Sequence, residues 1–134
     1  MKKLFIVVFC LISIASKAQT DYYTAYRTAL YEKRGTSWVQ TWENEDVSIP
    51  LAFTKNTVQI SAKSASTFRL DNSLAREFKN ETMEGMSYPS YEVVNGRKCR
   101  VDLVYYIETR VILFSVTYED TYPNQNMRYY ITKD

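Results

Sequence analysis

The chain contains no histidine. The commonest general base and the commonest metal ligand are therefore missing, and Ser-His-Asp or Cys-His catalysis within this chain is excluded. Glycine and proline are scarce, three of each in 134 residues, and no Gly-rich nucleotide or phosphate loop can be drawn from them. Ser37, Ser64 and Ser66 lack the G-x-S-x-G setting of an activated serine. Neither acidic cluster, Glu43-Glu45-Asp46 or Glu119-Asp120, has the spacing or turn glycine of a calcium loop. These absences lead us to expect a non-enzymatic protein with no cofactor and no metal.

The first residues read as a targeting segment. Met1-Lys2-Lys3 is basic, Leu4 to Ala15 is apolar apart from Ser13, and Ser16 and Ala18 are small residues placed for a cut before Gln19. This is the layout of a signal peptide over 1–18. The apolar run is well short of the ~20 residues of a membrane-spanning helix, and no second run follows. The expected localisation is secreted or periplasmic, with no transmembrane segment after signal removal.

Removing 1–18 takes three lysines and no acid. Basic residues drop from 17 to 14 against 15 acids, a net charge of −1. The basic balance thus belongs to the leader, and we expect no nucleic-acid partner. Cys10 leaves with it, so Cys99 stands alone and no internal disulfide is available.

What is abundant is aromatic. All twelve Tyr, both Trp and four of the six Phe fall in 19–134, a composition suited to half-buried strands. Val47, Ile49, Leu51 and Phe53 alternate with polar or small residues, as do Val58 and Ile60. A two-residue turn at Lys55-Asn56 sets Phe53 opposite Val58 and Leu51 opposite Ile60. Pro50 places its strand at an edge or a bulge. A second hairpin turns at Glu108-Thr109 and pairs Tyr105 with Ile112, Leu103 with Phe114 and Val101 with Val116. It carries Cys99 inside, opposite Tyr118, and Lys98 outside, between Glu92 and Glu119. A bulged turn at Val94-Asn95-Gly96, with Gly96 left-handed, pairs Tyr91 with Cys99 and keeps Glu92 off the inner face.

Tyr22 to Glu32 reads as a strand, Met127 to Thr132 as the closing strand, and 73–84 equally as a short helix or another strand. The expected fold is mainly β: one domain over 19–134, a single antiparallel sheet or small barrel of six to eight strands.

The candidate site follows from the aromatics. Trp38 and Trp42 are expected in a loop outside the clear strands. Tyr106, with Val104, Val111 and Leu113, forms an apolar second face on the strongest hairpin, which a neighbouring segment could cover. Trp38, Trp42 and Tyr106 are the candidate binding residues.

The stretch from Trp42 to Asp120 resembles uncharacterised small exported bacterial proteins. The residues that carry the likeness are Trp42, Ile49-Pro50, Phe53, Asn56, Val58, Ile60, Lys63, Phe68, Cys99 and Tyr118-Glu119-Asp120. The resemblance implies a compact β domain in the envelope or outside the cell and brings no activity. The expected function is recognition of a partner protein or envelope polymer through aromatic surface residues. The alternatives are a lipocalin-like carrier of a small apolar ligand and an inhibitor of a secreted hydrolase.

Overall fold

The structure, a computed structural model, describes residues 20–62 and 65–134; the expected signal peptide and its cleavage site lie outside them. Ten strands follow in order: β1 (Asp21–Arg34), β2 (Ser37–Asn44), β3 (Ile49–Phe53), β4 (Thr57–Ile60), β5 (Ser66–Leu70), β6 (Arg76–Lys79), β7 (Met83–Glu92), β8 (Lys98–Tyr106), β9 (Ile112–Thr117) and β10 (Gln125–Lys133). The segment 73–84 holds no α-helix. It begins in a single 3₁₀ turn, Asn72–Leu74, capped by Asp71, and continues as β6 and the start of β7.

Every pairing is antiparallel, and β10 returns to β1. Eight strands, β1-β3-β4-β5-β7-β8-β9-β10, therefore close a barrel, which removes the free edges an open sheet would leave. The other two share an edge with a barrel strand. β1 is long enough to take β3 along Asp21–Ala25 and β2 along Thr28–Arg34. β7 likewise takes β5 at its end and β6 at its start. Pro89 falls between these two partners, where no ladder hydrogen bond asks for its missing N–H.

Both hairpins have the expected registers. Phe53 faces Val58 and Leu51 faces Ile60; Leu103 faces Phe114 and Val101 faces Val116. Their shared faces fill the barrel. Phe114, Leu51, Val58, Val101 and Ile131 are essentially inaccessible, and Cys99 is buried with them. Phe53 meets both Tyr23 and Phe114 edge to face, with ring centroids 5.2 and 5.8 Å apart.

Three local expectations are corrected. Strand β3 is not an edge, since β1 and β4 flank it; the Ser61 N–H donates to the Pro50 carbonyl at 2.9 Å, so residue 50 points toward β4 just past the last rung of that pair. The loop between β7 and β8 is one residue longer than expected. Tyr91 pairs with Lys98 and Ser90 with Cys99, and the Glu92 N–H reaches the Arg97 carbonyl at 2.9 Å, although Gly96 is left-handed with φ +70°. Glu92 is thereby turned to the inner side, where its Oε1 accepts hydrogen bonds from Tyr118 at 2.9 Å and Asn95 at 3.1 Å. An inward carboxylate is tolerable because these donors meet it. Finally, Trp38 and Trp42 are not in a loop: both belong to β2, whose residues are all exposed.

Candidate functional site

The ladder registers map the outer surface row by row. One row runs Arg76, Ser87, Asp102, Ser115, Arg128 across β6, β7, β8, β9 and β10. The next runs Phe78, Gly85, Val104, Leu113, Tyr130 on the same strands. Small side chains occupy the middle of these rows and larger ones their ends. The result is a groove of about 730 Å³ on the outside of the barrel.

Its floor includes Ser87, Val104, Leu113 and Ser115. The apolar second face expected around Tyr106 is therefore real, and β6 covers one side of it. Phe78 can lie there because Gly85 has no side chain: a β-carbon on Gly85 would come within 2.5 Å of the Phe78 ring. Val104 and Leu113 are buried beneath the groove, while Tyr106 is only partly covered.

Of the three candidate residues, the fold brings two together. Trp38 and Tyr106 both line the groove, and Trp42 does not. Spacing of four on a regular strand would send both tryptophans to one face. A bulge between Gln40 and Trp42 breaks that parity, since Leu30 pairs with Trp42 and Tyr31 with Gln40. Gln40 and Glu43 accordingly share Arg27, at 3.1 and 2.7 Å, and Trp42 points the other way. It remains 48% exposed, against 36% for Trp38.

The polar members of the groove come from five strands and the segment after β9, so their grouping could not be read from the sequence. Arg100 lies 3.4 Å from Asp102 and 3.8 Å from Glu119. Arg100, and not Lys98, thus reaches Glu119; Lys98 stands on the outer face beside Tyr91, on the opposite side of the sheet from Glu92. Arg128 stacks on the Tyr31 ring at 3.6 Å and donates to Asn126 at 2.8 Å. Asn126 in turn donates to Thr117. This chain of contacts fixes the guanidinium planes at the edge of the groove.

Among the described residues, the pocket inside the barrel is far smaller. The pocket at one end of the barrel, between Phe53, Tyr88 and Phe114, holds about 20 Å³, close to what a single water needs. Burial, reinforced by the charges of Glu92 and Glu119, pushes the Cys99 thiol up to about 12. Burial does the same to Tyr88. Among the described residues no group of three or more His, Cys, Asp or Glu side chains is placed to hold a metal ion, and no helix is long and apolar enough to cross a membrane. No protein-family model, no curated protein and no solved structure matches this chain.

Proposed function

We propose that this protein is an exported, non-enzymatic β domain that binds an envelope polymer or a partner protein through the groove on its outer face, with Trp38 and Tyr106 as aromatic anchors. The observation that carries this reading is the meeting of those two rings, distant in sequence, in one groove of about 730 Å³. Partly exposed aromatic side chains over a well-packed floor are the usual energetic centres of recognition surfaces. Rigid strands hold them, so little ordering is needed on binding.

Recognition is favoured over catalysis by the state of the reactive groups. The Cys99 thiol is buried and strongly protonated, and the groove carboxylates Asp102 and Glu119 are engaged by Arg100. Binding on the outside is favoured over a lipocalin-like carrier by the filled interior, since ligand cavities usually measure about 300–1,000 Å³.

The test is a photo-crosslinking amino acid at position 38, with position 22 as a control, expressed in the producing cell. Tyr22 is exposed on a barrel strand and does not line the groove. Adducts to one envelope component from position 38 and not from 22 support the reading. Equal adducts from both, or none from 38, overturn it. A separate check is Trp38→Ala, which should leave Tm nearly unchanged if the ring is kept for a ligand.

A further inference from the structure

The groove does not end at Pro89. A second open depression of about 710 Å³ shares Leu74, Pro89 and Glu119 with it. Leu74, on the 3₁₀ turn, stands exposed at the junction. The two lobes form one long trough over β5–β8 and onward across β9 and β10. An open trough of two such volumes fits a chain lying along it better than a compact molecule, which gains from enclosure.

The charges along the trough are uneven. Arg69, Arg76, Lys98, Arg100 and Arg128 face three acids, Asp71, Asp102 and Glu119. The acids have partners: Arg100 serves Asp102 and Glu119, and the Ser73 hydroxyl donates to Asp71 at 2.6 Å. Arg69, Arg76 and Lys98 have no ion-pair partner among the described residues. Two of them flank an aromatic ring, because Arg69 and Lys98 are the cross-strand neighbours of exposed Tyr91. A surplus of unpaired cations on a nearly neutral protein is a local device for an anion.

The walls also say what kind of chain. The floor is the face of a sheet whose main-chain groups are used in the ladders, so a peptide cannot join it as an added strand. Recognition must be by side chains. Rings at Trp38, Tyr106 and Tyr91 offer flat apolar surfaces, while Arg donors alternate with Asp and Asn acceptors. A sugar unit has a C–H face to stack and hydroxyls that both donate and accept.

We infer that the trough binds an acidic polysaccharide, its sugar rings on Trp38, Tyr106 and Tyr91 and its carboxylates at Arg69, Arg76 and Lys98. This rests on the groove reading above and names the ligand class for it.

The experiment measures binding of the purified protein to three probes by calorimetry: oligogalacturonate, its methyl ester and poly-L-glutamate. The inference expects oligogalacturonate to bind at least about tenfold more tightly than either other probe, with affinity falling as salt rises. The double variant Arg69→Gln, Arg76→Gln should lose about tenfold or more, with its melting temperature unchanged. Equal binding of the methyl ester overturns the role of charge. Equal binding of poly-L-glutamate overturns the sugar. Failure of all three overturns the inference as a whole. The crosslinking result at position 38 stands apart from these outcomes, so the groove can hold while its ligand class falls.

Discussion

Phe78 lies across Gly85, and the glycine is what lets it. A β-carbon at position 85 would meet the Phe78 Cζ at 2.5 Å and would overlap the carbonyl oxygen of Leu103. The ring could swing aside, but the backbone oxygen cannot. Gly85→Ala should therefore destabilise by about 1–3 kcal/mol, and adding Phe78→Ala should not restore the loss. Thermal melts of the single and double variants check this; full recovery in the double variant would assign the strain to the ring alone.

The barrel core and its surface should respond very differently to truncation. Phe114 is fully buried between Leu103, Phe53 and Tyr129. Phe114→Ala should cost about 3–5 kcal/mol. Lys98 is exposed and has no ion pair among the described residues, so Lys98→Ala should cost under about 1 kcal/mol. Urea titrations of both give the comparison directly.

Glu84 presents a sharper case. It is 0% exposed, neither carboxylate oxygen has a hydrogen bond among the described residues, and Lys79 Nζ lies 3.4 Å away. Glu84→Leu should raise stability by about 1–2 kcal/mol, since a hydrocarbon needs no partner there. Lys79→Ala should lower it by about 2 kcal/mol in the native background and by under about 1 kcal/mol once Glu84 is Leu. A four-variant cycle measures the coupling; additive effects would show that Lys79 acts elsewhere.

Alkaline pH should loosen the fold. Cys99 rises from 9.0 to about 12 and Tyr88 from 10.0 to about 12, both mainly through burial. The folded protein keeps these protons where the unfolded chain releases them. The stability they confer is complete below about pH 9 and is lost as pH climbs toward 12. Melting temperature should fall across that range, less steeply in Cys99→Ala. At pH 8 a thiol reagent should label Cys99 only after denaturant is added.

Arg110 adopts φ +61° at the end of the turn after β8, with its N–H donating to the Tyr106 carbonyl at 2.8 Å. A side chain strains this conformation and glycine does not. Arg110→Gly should stabilise by about 0.5–1 kcal/mol, and a lower melting temperature would speak against the strain.

How far the sequence revealed this molecule depended on whether each strand had one wet face. The hairpin from Cys99 to Tyr118 was legible because a slip by one residue would set apolar against polar throughout. Strand β2 was not. Ser37 to Asn44 is exposed on both faces, so no alternation marks it, and only Gly35, left-handed at φ +65° in a tight turn, could have betrayed a hairpin. The register of β7 was misjudged by treating an inward Glu92 as forbidden, when the Tyr118 hydroxyl, just past the end of β9, supplies its hydrogen bond. Tyr106 and Trp38 could each be suspected alone. Their meeting, and the row Arg76, Ser87, Asp102, Ser115, Arg128 between them, exists only after five strands are in register.

The seam between β1 and β10 has a kinetic meaning. Tyr23 opposes Lys133 and Glu32 opposes Gln125, so the barrel is zipped by the most distant pairing in the described chain. Contacts of such separation form late, because loop-closure entropy must be met before they repay it. Until then β1 and β10 are two unsatisfied edges on one twisted sheet, each able to pair with another molecule. At high concentration the natural error is an exchange, in which β10 of one molecule closes the barrel of its neighbour. Refolding yield should fall with concentration, with an intertwined dimer as the trapped species.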